Sequence, residues 1–287
     1  MSTAYLNGKF LPREEACIPV MDRGFLFGDG VYEVIPVYGG RLFRLDHHLQ
    51  RLASSLDAIR IGNPMDNAAW QHLLEQVVER NDGGDRSVYL QVTRGVAPKR
   101  DHAFPADVEP TVFVMSTPMG SGSDIDKEPG IHAVTLDDIR WDYCKVKAII
   151  LLPNVLLRQQ AVDAEAAEAI LIKDGFATEG AASNLFIVDQ GLLITPPKSP
   201  SLLPGMTRDL VLELAANHDI PFLEANITLD QLSSADEIWL TSSTREISPV
   251  TRLDDCSIGD GTPGQKWQQM IRLYQSYKDA VRAGKAD

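Results

Sequence analysis

Five apolar residues, Leu45, Leu49, Leu52, Leu56 and Ile59, recur at spacings of 4, 3, 4 and 3. That rhythm puts them on one face of an α-helix, and such a face must lie against another apolar surface. Asp46 is placed to cap its start. Directly before it, FGDGVYEVIPVYGGRLF reads as a hairpin with Gly39-Gly40 as its turn. SVYLQVTRG and PTVFVMSTP read as further strands, and TPMGSGSD, residues 117–124, as a linker.

The second part reopens with strands around IHAVTL and CKVKAII. Pro153-Asn154 precedes the helical stretch VLLRQQAVDAEAA. EAILIKDGFATEGAASNLFIVDQGLLIT reads as a meander turning at Asp174-Gly175 and Gln190-Gly191. LLPGMTRDLVLELAANHD is a loop entering a helix capped by Thr207, EIWLTSST is a strand, and a final helix carries Trp267, Ile271, Tyr274 and Tyr277. Strands and helices mix without strict βαβ alternation, which favours an α+β fold over a doubly wound sheet. The expected division is a small α+β domain over 1–118, a linker at 119–123 and a large α+β domain over 124–287.

Composition bounds the partners. The 287 residues are 44% hydrophobic, enough for a sizeable core, and 27 basic against 40 acidic residues give a net charge of −13. That balance argues against nucleic acid or an anionic membrane as a partner, though not against a local basic pocket. Cys17, Cys144 and Cys256 are far apart and odd in number, so neither a disulfide framework nor a CxxC metal site is expected. No apolar signal core opens the chain and no run approaches the roughly 20 apolar residues of a membrane span, so a cytoplasmic location is expected.

CKVKAIILLPNV, residues 144–155, sets two lysines two positions apart before an apolar run. In a strand both would face one way, and burying an unpaired ammonium is costly. Either both reach solvent at a sheet edge, or one is a nucleophile. Lys147 adjoins AIILL and is the better shielded candidate for an amine that forms a Schiff base. For phosphate, no GxxxxGK[ST] loop occurs and no GxGxxG follows a strand. Three other places offer donors. Gly205-Met206-Thr207 opens a helix with exposed backbone N–H groups. Thr241-Ser242-Ser243-Thr244 ends a strand in hydroxyls. Arg51 flanks the leucine stripe with a guanidinium fork. Each has a plainer explanation, as a cap, a turn or a solvated flank. Glu179, among small residues in ATEGAASN, is suited to pair with a ring nitrogen or simply to end a turn. Arg100 and His102, in RGVAPKRDHAFP, are donors for a carboxylate or members of a solvated basic loop. No HExxH, DxDxDG or His/Cys cluster is present, so no metal site is expected.

In order and distance, YLNGKFLP, RGFLFGDGVYEV, HLQRL, RGVAPKRDHAFP, KVKAIILLPNVL, TEGAASNLFIV, LLPGMTR and TSSTREISPV resemble the fold-type IV pyridoxal-phosphate (PLP) enzymes, and within them the D-amino-acid (D-alanine) aminotransferases. The resemblance covers nearly the whole chain. It implies that Lys147 is the Schiff-base lysine and the general base, while Lys145 has no catalytic part. It further implies that Glu179 pairs with the pyridine nitrogen and that Arg51, the Met206 and Thr207 amides, Ser243 and Thr244 form the phosphate cup. Tyr32, Arg100 and His102 match a trap for the substrate carboxylate. The last two come from the partner subunit in the family, which implies a homodimer. The implied reaction is transamination between small amino and keto acids, D-alanine and 2-oxoglutarate to pyruvate and D-glutamate. The alternatives are a branched-chain L-amino-acid or (R)-amine transaminase, aminodeoxychorismate lyase, or a non-catalytic cofactor-binding protein. Two departures stand out: Ile150 replaces a residue that is polar in several members, and the Arg100 loop is one residue longer, with Lys99 as an alternative carboxylate ligand.

Overall fold

In a computed structural model, which describes residues 2–119 and 130–287, the chain divides into two compact units. The first comprises Met1–Gly120, Val146–Ile150 and Asp279–Asp287; the second comprises Ser121–Lys145 and Leu151–Lys278. The division is therefore not one cut in the chain, because a short stretch around Lys147 and the C-terminal tail group with the N-terminal unit. Apart from Met119, the linker expected at 119–123 lies outside the described residues.

The first unit holds a six-stranded antiparallel sheet of β1 (Thr3–Leu6), β2 (Lys9–Pro12), β3 (Gly30–Tyr38), β4 (Arg41–Leu42), β5 (Arg86–Thr93) and β6 (Thr111–Pro118), ordered β2-β1-β6-β5-β3-β4. Gly39 and Gly40 turn β3 into β4 with φ of 58° and 79°, the paired positive values that match strand twist in a tight hairpin. The unit also contains α1 (Arg23–Phe27), α2 (Leu45–Ala58) and α3 (Asn67–Glu79). The leucine stripe of α2 packs with Val31, Ile35 and Val37 of β3 and with Trp70, Leu74 and Val77 of α3 in one core, with Ile59 at its margin. Burying each leucine contributes about 1.5–3 kcal/mol. Asp46 does not cap α2. The helix begins two residues earlier than such a cap implies, after Arg44 at φ 52°, and Asp46 lies in the first turn, where its charge favours the helix dipole.

The second unit holds a ten-stranded mixed sheet. Its strands are β7 (Ile131–Asp137), β8 (Glu168–Lys173), β9 (Phe176–Gly180), β10 (Asn184–Asp189), β11 (Leu192–Thr195), β12 (Phe222–Glu224), β13 (Ile227–Thr228), β14 (Glu237–Ser242), β15 (Glu246–Leu253) and β16 (Cys256–Ser257). They run in the order β12-β11-β10-β14-β15-β7-β8-β9-β13, with β16 paired to β15. Asp174-Gly175 and Gln190-Gly191 both have successive positive φ values and close the β8–β9 and β10–β11 hairpins as read. β7 and β8 are parallel, and α4 (Leu152–Asp163) makes the crossover that such a pair requires, burying Leu157 and Ala161 against Val134, Ala169 and Leu171.

Three helices follow: α5 (Met206–Asn217), α6 (Leu229–Ser234) and α7 (Gln265–Arg282). Gly205, not Thr207, is the N-cap of α5, and it makes no side-chain cap bond; Thr207 is a buried second helical residue. Met270, Tyr274, Lys278 and Val281 are buried on α7, while Ile271 and Tyr277 are half-buried. Lys278 is tolerated in that stripe because it pairs with the buried Glu246.

CKVKAII does not form the expected strand. Its regular pairing is one isolated bridge, Ala148 to Val31 of β3. No helix among the described residues is long and apolar enough to cross a membrane.

Candidate active site

The alternation expected of a strand survives without the strand. Cys144, Val146 and Ala148 are buried, Lys145 is exposed and Lys147 is half-buried. Val146 and Ala148 are anchored in the core of the first unit. Backbone bonds from Tyr32 N to Lys147 O (2.9 Å) and from Ile149 N to Gly30 O (3.0 Å) clip the segment to β3. Lys147 N also donates to Ser55 Oγ of α2 at 3.3 Å. The amine is thereby held 4.2 Å from the centre of the Tyr32 ring, so two of the sequence-predicted residues meet.

Beside them is a group that the sequence reading did not assemble. Glu33, on the apolar face of β3 with Val31 and Ile35, accepts from Arg51 Nε (2.8 Å) and Nη2 (2.7 Å) and from His48 Nδ1 (2.7 Å). Burial pushes this carboxyl up, but Arg51 and His48 overrule it and hold it at about 2. Burial in turn holds His48 below the ordinary imidazole value. Arg51 is therefore no solvated flank: it is buried, and two of its nitrogens are committed to Glu33.

Arg100 and His102 do not meet Tyr32 or Lys147 in any described contact. Both are exposed and pack on Phe27 of α1, with the Arg100 guanidinium 5.0 Å from that ring and the His102 ring 5.3 Å away. Lys99 is exposed and pairs with Asp101 at 2.9 Å.

In the second unit Glu179, on β9, is 4% exposed. It accepts from Asn184 Nδ2 at 3.0 Å, from the Leu203 amide at 3.1 and 3.2 Å, and from Arg140 Nη1. Arg140 itself is gripped by Asp138, through Nε at 2.9 Å and Nη2 at 2.8 Å. Burial pushes the Glu179 carboxyl up to about 7, against the pull of Arg140. Sequence reasoning missed Arg140 and Asn184.

Asn184 also ties Glu179 to the proposed phosphate donors. Its Nδ2 donates to Leu203 O at 2.8 Å, and a Cβ on Gly205 would meet its Oδ1 at 1.9 Å, so only glycine fits at the start of α5. Strand register sets Asn184 opposite Thr241. Thr241 is buried, and its hydroxyl has no hydrogen-bond partner among the described residues. Ser243 and Thr244 lie in the turn that follows, half-buried and exposed respectively.

Taken unit by unit, these groups have the chemistry that parts of PLP require. Unpaired N–H groups at a helix start and an orphaned buried hydroxyl fit a phosphate, a buried carboxyl fits a ring nitrogen, and a shielded lysine fits an aldehyde. The family model of Amino-transferase class IV matches residues 30–253. The chain is 41% identical over 258 residues to a D-alanine aminotransferase of Bacillus licheniformis, covering 90% of each. It is 35% identical over 278 residues to that of Staphylococcus haemolyticus, covering 96% of this chain and 98% of the relative. Among solved structures, the T.th. branched-chain amino acid aminotransferase with pyridoxamine 5′-phosphate matches at a TM-score of 0.90 and 28% identity, covering 99% of this chain and 95% of that one. The chain belongs to the class IV aminotransferases. The enzymes of this family depend on PLP, and the α+β, fold-type IV architecture expected from the sequence is the one observed.

Proposed function

We propose that this aminotransferase acts on D-amino acids, moving the amino group of D-alanine to a 2-oxoglutarate-like acceptor. The observation that carries the reading is the approach of Lys147 Nζ to the Tyr32 ring, 4.2 Å. It sets a candidate ligand for the substrate carboxylate beside the amine that would meet Cα. The relatives named D-alanine aminotransferase support the same substrate class.

When bound, PLP supplies an electron sink that makes the Cα proton removable. Lys147 would hold the cofactor, and its Nζ, when free of that bond, would take the proton from the substrate's Cα as general base. Glu179 is assigned to the ring nitrogen, its orientation held by Asn184 and Arg140. Arg51, the Met206 and Thr207 amides, Ser243 and Thr244 are assigned to the phosphate, with Thr241 added for its orphaned hydroxyl. Tyr32, Arg100 and His102 are assigned to the carboxylate, whose position decides which enantiomer offers its Cα proton to Lys147.

A homodimer completes the reading. Its support is a set of exposed apolar side chains in the second unit: Trp141, Tyr143, Leu152, Val155 and Leu156, with the Trp141 and Tyr143 rings 5.6 Å apart. A cytoplasmic location fits three cysteines that are all free. Likeness to branched-chain enzymes keeps L-leucine as the comparison substrate. The deciding experiment mixes holoenzyme with D-alanine, L-alanine or L-leucine, without acceptor, and follows the cofactor's absorbance. D-Alanine alone should convert it; conversion by L-leucine alone would overturn the reading.

A further inference from the structure

The segment that carries Arg100 and His102 is irregular in backbone and mostly exposed, yet one buried side chain grips it. Arg23, 3% exposed and the first residue of α1, donates from Nη1 to Asp101 O (2.6 Å) and Ala103 O (3.4 Å), and from Nη2 to His102 O (3.3 Å). Its Nε donates to Asp29 Oδ2 at 2.7 Å. Asp29 is shared with a second arginine: Arg94 donates to it from Nε (2.8 Å) and Nη2 (3.0 Å). Arg94 is fixed in turn on Ile59 O (2.7 Å) and Arg60 O (3.0 Å), and its guanidinium lies 3.6 Å from the Phe104 ring, at the far end of the same segment. Phe27, one helical turn from Arg23, is the surface on which Arg100 and His102 both rest.

The chemistry of the grip is specific. Carbonyl oxygens only accept, and arginine offers five N–H donors in a rigid plane and no acceptor. One guanidinium can therefore take successive carbonyls and a carboxylate together, which the point-like ammonium of lysine cannot. Asp29 holds the two guanidinium groups side by side and offsets their repulsion. A segment ordered before the substrate arrives also avoids an ordering cost at binding.

We infer that Arg23 is a positioning residue for substrate recognition: through the carbonyls of Asp101, His102 and Ala103 it holds Arg100 and His102 as a fixed pair for the substrate carboxylate. The inference rests on the carboxylate role proposed for that pair.

The test uses holoenzyme variants Arg23→Gln and Arg23→Lys, with Arg100→Ala in parallel. Retention of the cofactor's absorbance shows that a variant has folded, and Arg23→Lys keeps the charge in case glutamine is not tolerated. Hydrogen exchange of residues 97–106 should quicken in both Arg23 variants. The KM for D-alanine should rise about 10-fold or more, the scale of a lost charge-assisted contact. The rate with a primary amine that lacks a carboxylate should stay within about 2-fold of wild type. If Arg100→Ala raises the D-alanine KM while the Arg23 variants change neither KM nor exchange, the inference fails and the carboxylate role stands. Equal losses on D-alanine and the simple amine overturn it as well. If Arg100→Ala and His102→Ala leave the D-alanine KM unmoved, the carboxylate role itself falls and takes the inference with it.

Discussion

Glu33 in the first unit and Glu179 in the second are both buried glutamates bonded to an arginine, yet they sit at opposite ends of the carboxylate scale. Glu33 takes two nitrogens of Arg51 and one of His48, and these hold it at about 2 although burial opposes them. Glu179 takes one nitrogen of Arg140, whose Nε and Nη2 serve Asp138, and burial pushes it up to about 7. What matters is how the fork is divided, and whether a second carboxylate shares it. A guanidinium that gives two nitrogens to one carboxylate, with a histidine beside it, keeps that carboxylate an anion. A shared one leaves its partner near neutrality, which fits the ring-nitrogen role proposed for Glu179.

The most severe way to break this contrast is Glu33→Ala, which leaves Arg51 and His48 buried without their carboxylate. A loss of about 3–5 kcal/mol is expected, read from urea denaturation. Next comes the pH dependence of stability in cofactor-free protein. Glu33 lies below its unfolded value of 4.5, so its contribution is complete above about pH 4.5 and is lost as pH falls through about 2. Glu179 lies above the same reference, so it favours folding at low pH and that advantage is lost as pH rises from 4.5 to about 7. Glu33→Gln should flatten the acid limb, and Glu179→Gln should remove the decline toward neutrality. Each limb is worth about 3 kcal/mol, at roughly 1.4 kcal/mol for each pH unit between the folded and unfolded values.

Glu179→Gln should also lower the half-reaction rate with D-alanine by about 10²-fold, the usual scale for removing one electrostatic partner of a reacting group. In cofactor-free protein at pH 7 the variant should be at least as stable as wild type, because the decline toward neutrality is gone and Arg140 keeps Asp138 and the Ser201 carbonyl. The smallest effect sharpens the contrast: Asp138→Asn releases the Arg140 fork to Glu179, whose carboxyl should then titrate below about 7 in a 13C NMR titration.

The sequence reading succeeded where one residue type answers to one local rule. Successive positive φ values at Gly39-Gly40 and Asp174-Gly175 follow from turn chemistry, and the α2 leucines follow from helical period. Lys147 was separated from Lys145 by its apolar neighbours, although the strand assumed for them did not form. Two caps were misplaced because Asp46 and Thr207 are capping types that each landed inside the first turn of their helix. Glu33 was within reach: it shares the parity of Val31, Ile35 and Val37, so a charge on the core face demanded partners, and His48 and Arg51 lie on the buried side of α2. Arg140 was not, because its bond to Glu179 joins residues 39 apart and nothing in DIRWDY marks an arginine as buried. Arg23 likewise reaches a carbonyl 80 positions away, and backbone acceptors leave no trace in side-chain identity.

Val146 and Ala148 belong to the core of the first unit although synthesis delivers them only after residues 121–145 of the second. A nascent chain that ends near residue 120 therefore exposes apolar surface its own sequence cannot cover. Synthesis must pass residue 148, about halfway along the chain, before the amino-terminal core has all its side chains, and Lys147 rides in between the two that complete it.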